Sequence, residues 1–223
     1  MVMRNTEEEG PIFTKLQLIA NLMLLNVLWL ICSLPLVTIL TSTSAMNYAC
    51  IKMQRDEGEG IIKNFFHSFA TNIRQGLIIG TGFIAILIIL TASLLQPLSG
   101  IHSGSFASIL FAILIVIILF CWFAMFTYVS MTLSRFDNTI FRTLINSMYF
   151  AIHNFFRTLK IIGVEIFGLI LVPAFLWRFV PAFFVIFLMI GVPAVAYTVA
   201  KQFNNIIFAM YISPLSEQPE TSR

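Results

Sequence analysis

Residues 75–134 read QGLIIGTGFIAILIILTASLLQPLSGIHSGSFASILFAILIVIILFCWFAMFTYVSMTLS, and these 60 positions hold no Asp, Glu, Lys or Arg. A helix needs about 20 apolar residues to cross the hydrocarbon core of a bilayer. The stretch therefore holds two crossings. Gln96-Pro97-Leu98-Ser99-Gly100-Ile101-His102-Ser103-Gly104 divides it, because clustered Pro and Gly mark a turn. The spacing predicts one helix near 75–96 and the next near 105–133.

The same reading extends outward in both directions. Leu16 to Ile51 is also free of charged residues, and Ile161 to Ala200 has only Glu165 and Arg178. The later run breaks at Trp177-Arg178-Phe179-Val180-Pro181, giving helices near 160–177 and 181–200. Trp177 and Arg178 suit a membrane interface, and Pro173 and Pro193 are expected to kink their helices. In the earlier run, 16–34 reads as a helix that Pro35 ends or bends. Thr41-Ser42-Thr43-Ser44 reads as a cap or turn before a shorter helix over Ala45–Arg55. Residues 36–52 are either a re-entrant element or a tilted return crossing.

Composition agrees with this architecture. Of 223 residues, 59% are apolar and only 10% charged, against about 25% charged in soluble domains. The mean hydropathy is +0.93. So few charges do not cover a soluble globule, which excludes a soluble enzyme, a disordered chain and a free nucleic-acid binder. The expected fold class is all-α: a polytopic transmembrane bundle of five long crossings plus a short sixth or re-entrant helix, with amphipathic cytoplasmic helices. One transmembrane domain covers 16–201, between a cytoplasmic N-terminal segment 1–15 and a cytoplasmic tail 202–223. The N-terminus carries Glu7, Glu8 and Glu9 where a signal peptide wants bases, so no cleaved leader is expected.

Two amphipathic segments separate the apolar blocks. In 61–75, Ile62, Phe66, Phe69 and Ile73 oppose Lys63, His67, Thr71 and Arg74; in 138–160, Phe141, Leu144, Ile145, Met148, Ile152, Phe155, Phe156 and Leu159 oppose Arg142, Asn146, His153 and Arg157. Both have helical period. Each is either a helix lying in the membrane interface or one entering the bundle from the cytoplasm. Residues 64–80 also align with 147–163 at an offset of 83, matching Arg74 with Arg157 and Gly80 with Gly163, which suggests an internal duplication.

Basic residues set the orientation. Lys52, Arg55, Lys63 and Arg74 lie in one connector and Arg135, Arg142, Arg157 and Lys160 in another, whereas 97–104 has none. The net charge of +3 thus reads as basic connectors on the cytoplasmic side. Five crossings place the N-terminus outside; a sixth made by 36–52 places it inside, which is the expected arrangement.

Chemistry-bearing groups are sparse. Cys32, Cys50 and Cys121 lie in apolar runs without a CxxC pair, which reads as buried, inert thiols. His67, His102 and His153 fall in three different segments, so no metal site is expected, and no cofactor. Asp56, Glu57 and Glu59 sit in a Gly-containing loop, read as a solvated turn. No nucleotide-binding loop, HExxH or GxSxG occurs, and an enzyme is not expected. Ionisable groups inside a membrane are costly and mark functional candidates. Glu165 is the clear case, either a ligand for a coupling ion or substrate, or an interfacial acid reaching Lys160, Arg157 or Arg74. Arg178 reads as a snorkelling end anchor. Asn26, Pro35 and Thr38 join Glu165 as a candidate polar pathway, with helix–helix packing as the other account. Gly76-x-x-x-Gly80 and Thr41-x-x-x-Ala45-x-x-x-Ala49 are small-residue faces that permit close helix approach.

Asn26-Val27-Leu28-Trp29-Leu30, Cys32-Ser33-Leu34-Pro35-Leu36-Val37-Thr38 and Ser44-Ala45-Met46-Asn47-Tyr48 together resemble the N-terminal signature of the YesL-like family of bacterial membrane proteins. Arg55-Asp56-Glu57-Gly58, Phe65-Phe66, Phe69, Asn72-Ile73-Arg74-Gln75-Gly76 and Pro193-Ala194 with Tyr197 fit the same pattern. The similarity spans nearly the whole chain and is most specific over 26–76. One departure is Leu40-Thr41-Ser42 where the family often has Gly-Pro. The resemblance implies a multi-pass protein of the bacterial cytoplasmic membrane. It brings no catalytic residue. Its context is carbohydrate uptake, which implies a sugar importer or membrane sensor as partner beside the lipid bilayer; a homo-oligomer stays open, and no nucleic-acid partner is expected. The resulting expectation is an accessory membrane protein, with a small transporter or channel as the rival.

Overall fold

In the computed structural model, which describes residues 11–57, 60–102 and 106–207, every element is helical. Helix α1 is Pro11–Ser33; a short 3-10 turn, Leu36–Thr38, leads into α2, Ile39–Gln54; then follow α3, Ile61–His102, and α4, Phe106–Arg135. The chain continues through α5, Ile140–His153, and α6, Phe155–Ile166, then a π-helical turn, Phe167–Leu171, α7, Val172–Phe179, and α8, Pro181–Ile207. Among the described residues, four stretches are long and apolar enough to cross a membrane: Ile12–Ser33, Ile61–Leu94, Phe106–Arg135 and Phe155–Phe179. This is a helical protein of the membrane type. The expected N-terminal segment falls largely, and the C-terminal tail partly, outside the described residues, as does the Ser103-Gly104 end of the expected turn.

The short element of the first apolar run is the centre of the bundle. Ten of the 16 residues of α2 are buried. At about 1.5 Å per residue it is roughly 24 Å long, shorter than α1, α3, α4 and α8, which all pack on it. The expected turn at Thr41–Ser44 is instead the first part of this helix. Those four small polar residues are helical because their size admits neighbours, and tertiary packing overrides their weak propensity. Thr38, not the Thr41 cluster, makes the turn: its hydroxyl donates to the Cys32 and Pro35 carbonyls, both at 2.6 Å, satisfying acceptors freed where α1 ends.

Two glycines let α3 lie close to α2. A methyl group at Gly76 would run into the Thr41 side chain and lie 3.3 Å from its Cα, and one at Gly80 would lie 3.2 Å from both the Leu40 Cβ and the Val37 carbonyl oxygen. The two small-residue faces read from the sequence thus touch at Gly76 and Thr41, while Gly80 lies on Leu40 and Val37. The close approach replaces side-chain bulk by backbone contact, which packs well without any help from water.

Several connections differ from expectation. Residues 61–75 and the following crossing form one helix, α3, of 42 residues, so the first amphipathic segment enters the bundle and does not lie apart from it. The second segment is broken at Asn154, and α6 runs onward towards the later crossing. One copy of the suggested repeat is therefore continuous and the other interrupted at Asn154. Pro173 follows an irregular turn. The π-helical turn just ahead of it opens the ladder, with the Val172 N–H donating to the Phe167 carbonyl, and this relieves the clash a proline makes with the carbonyl four residues back.

Polar contacts orient α5 against its hydrophobic pattern. Thr143, Ser147 and Phe150 are buried; Ser147 donates to the Thr132 hydroxyl at 3.0 Å, and Gln75 Nε2 donates to the Thr143 hydroxyl at 2.8 Å. Phe141, Ile145, Met148 and Ile152 are left as an exposed apolar stripe. On α3, likewise, Phe65 and Ser68 point inward while Ile62 and Phe66 are exposed.

The start of α1, the end of α2 and the start of α3 share one end of the bundle, where Lys15, Lys52, Asp56 and Ile61 border a common groove with Tyr197 of α8. Lys52 donates to Glu57 at 3.0 Å there, and this bond holds the Glu57 carboxyl below its usual range. The first described turns of α1 thus lie on the same side as the basic connector, because α2 brings the chain back. Cys50 is buried as expected, Cys32 is partly so, and Cys121 is exposed, since it falls on the outer side of α4.

Gly76→Leu is expected to destabilise the purified protein by about 1–3 kcal/mol, the usual range for overpacking. The thermal unfolding midpoint in detergent measures it. Gly82→Leu, placed where a new side chain meets nothing within 4 Å, should leave that midpoint unchanged.

Candidate functional site

Between α1, α2, α4, α6 and α8 lies a cavity of about 310 Å³. Its wall is mostly apolar, with Met46, Phe123, Phe126, Val192 and Val199 among the lining residues and Trp29 at the α1 side. Five lining residues carry polar side chains: Thr43, Asn47, Thr127, Ser130 and Glu165. A cavity of this size, apolar with a few convergent polar groups, has the ordinary make-up of a small-molecule site.

Each polar group arrives from a helix shaped by the packing already described. Asn47 is held on buried α2 and donates through Nδ2 to the Ser130 hydroxyl at 3.0 Å; Ser130 in turn donates to the Thr127 carbonyl at 2.8 Å. Thr127 donates from Oγ1 to Glu165 Oε2 at 2.8 Å. These bonds join α2, α4 and α6 in one line. On the α1 side, Trp29 Nε1 donates to the Thr43 hydroxyl at 3.1 Å. The π-helical turn follows directly after α6, and Gly168 within it lies against Val195 of α8, so that Glu165, Leu169 and Val195 all reach the same cavity.

Glu165 has no Lys, Arg or His partner within 4 Å among the described residues, where Lys52–Glu57 is the ion pair found. The alternative of an interfacial acid reaching Lys160, Arg157 or Arg74 is thus not what the geometry shows. Arg157 and Lys160 instead border a separate open groove with Gln202 and Asn205 of α8.

The other sequence candidates lie elsewhere. Pro35 and Thr38 form the turn between α1 and α2, and Asn26 is buried on α1, one turn from Trp29 but outside the cavity lining. The structure therefore brings Glu165 together with none of the three. What the sequence reading missed is the partnership of Asn47, Thr127 and Ser130 with Glu165. Asn47 was visible as one of many polar residues in its run, whereas Thr127 and Ser130 sit in an uncharged apolar stretch with nothing to single them out.

The site offers one carboxylate, hydroxyls already engaged in hydrogen bonds, and aromatic walls. Among the described residues, no cluster of His, Cys, Asp and Glu has metal-binding proximity.

Residues 22–94 match a family described as "Protein of unknown function, DUF624". The matched part runs from α1 through α2 into α3 and contains the whole 26–76 stretch. The comparisons with curated proteins and with solved structures found no match.

Interhelical hydrogen bonds in membrane proteins average about 0.6 kcal/mol. A double-mutant cycle on Asn47→Ala and Ser130→Ala should return a coupling of about that size, measured by unfolding in detergent. Strict additivity would mean that the bond contributes nothing.

Proposed function

We propose that this chain is a non-enzymatic, multi-pass protein of the bacterial cytoplasmic membrane that works beside a carbohydrate importer or its membrane sensor. The observation that carries a partner role is the inverted α5. Its inward face is fixed by Thr143 and Ser147, and its apolar stripe of Phe141, Ile145, Met148 and Ile152 points outward beside exposed Arg142. A helix that buries Thr143, Ser147 and Phe150 against its own bundle leaves this stripe for lipid or for another membrane subunit. The carbohydrate context comes from the resemblance over residues 26–76, the stretch inside the matched 22–94. The basic connectors face the cytoplasm in this reading, with the start of α1 on the same side, α8 as the fifth long crossing and α2 as the short inner element.

A photoreactive residue replacing Met148 should trap an importer or sensor subunit in native bacterial membranes. Recovery of lipid adducts alone, or of a second copy of this chain alone, would remove the accessory role.

The cavity favours a second reading, a small transporter or channel, because a membrane carboxylate lining an internal space is the usual mark of a solute path. In that reading, proteoliposomes take up a labelled small organic cation faster than empty vesicles, and Glu165→Gln abolishes the difference. Uptake that persists in the variant takes Glu165 out of any such path.

A further inference from the structure

We infer that the α1–α2–α4–α6–α8 cavity is a binding site for an organic monocation, a protonated amine carried on an apolar body. The inference goes beyond the proposed role and needs neither a partner subunit nor transport.

Charge comes first. Glu165 has a hydroxyl donor in Thr127 and no cation of the protein's own within 4 Å among the described residues. A carboxylate has about four acceptor sites on its two oxygens, so one hydrogen bond leaves capacity for an ammonium group. The neighbouring hydroxyls do not compete as donors. Ser130 is committed to the Thr127 carbonyl and Thr43 to the Ile39 carbonyl, at 2.8 and 2.7 Å.

The walls supply the second argument. Trp29, Phe123 and Phe126 line the same space as Glu165. Aromatic faces attract cations through the ring quadrupole, most strongly when the cation is desolvated. Trp29 and Phe126 are also fixed in place: Trp29 through its bond to Thr43, and Phe126 through stacking on Trp122 at 5.7 Å between ring centres. Preformed rings cost little ordering on binding.

Size and polarity decide between classes of cation. At about 310 Å³ the cavity is far larger than a bare metal ion. A sodium or calcium ion would need several free oxygen ligands, whereas here the Ser130 and Thr43 oxygens already accept from Asn47 and Trp29, at 3.0 and 3.1 Å, and most of the wall is hydrocarbon. A sugar would bring many hydroxyls to a wall with few free partners and leave them unsatisfied. An anion would face Glu165 directly. An amine with an apolar tail satisfies the carboxylate, the rings and the hydrocarbon wall together.

Phenylbutylamine is the probe, with phenylbutanol as its neutral analogue, phenylbutyrate as its anionic one and sodium chloride as the inorganic control. Binding is read by calorimetry and by the shift in unfolding midpoint of the full chain in detergent micelles. The amine should bind at least about tenfold more tightly than the alcohol, equivalent to about 1.4 kcal/mol, and the anion should not bind. Glu165→Gln should remove the preference for amine over alcohol while leaving weak binding of both. Ala196→Leu, which fills the cavity and keeps the carboxylate, should weaken both ligands and serves if Glu165→Gln does not fold. Equal affinity for amine and alcohol overturns the inference. So does amine binding unchanged in either variant, and so does a stabilisation that sodium chloride alone reproduces.

Discussion

The close approach of α3 to α2 is the constraint on which the rest of this bundle depends. Gly76 and Gly80 bring the α3 backbone onto Thr41, Leu40 and the Val37 carbonyl. With that contact in place, α2 is surrounded by α1, α3, α4 and α8 and can be both short and central. In lipid there is little hydrophobic force to drive helices together, so association rests on backbone proximity and interhelical hydrogen bonds. The hydroxyl-rich sequence of α2 suits that role. Ser42 and Ser44 are fully buried with no hydrogen-bond partner found for either hydroxyl, and their small volume is what admits the neighbours.

Placing α2 at the centre also builds the cavity. Asn47 projects from it towards Ser130 on α4, which leads through Thr127 to Glu165 on α6. On the other side, the π-helical turn after α6 seats Gly168 on Val195 of α8. Proline chemistry thus reaches the site indirectly. Pro173 requires an opened ladder just after α6, and the residues within that turn make the contact that closes the cavity wall. A residue chosen for backbone reasons and a lone acid eight positions before it belong to one arrangement.

The polar contacts of α5 show the same priority. Its sequence pattern suggests an apolar face directed at a core, yet Thr143 and Ser147 turn inward to meet Gln75 and Thr132. A buried hydroxyl without a partner is costly, so Thr143 and Ser147 take the inward side where partners exist, and Phe141 and Ile152 are left exposed.

By itself the sequence determined that the chain is helical and of the membrane type, where its long apolar runs lie, and that Pro181 starts a new helix. Those conclusions need only charge spacing and helix length, which are local. It also displayed both small-residue faces, though not that Gly76 lies on Thr41. Tertiary structure alone decided that α2 is the buried centre, that 61–102 is one helix, that α5 turns its hydroxyls inward, and that Glu165 is joined to Thr127 rather than to Arg157 or Lys160. Each of these depends on contacts between residues far apart in the chain, such as Asn47 with Ser130 and Thr127 with Glu165. When nearly every face of a helix is apolar, periodicity no longer says which side packs inward, so the partners of the few polar atoms make that choice.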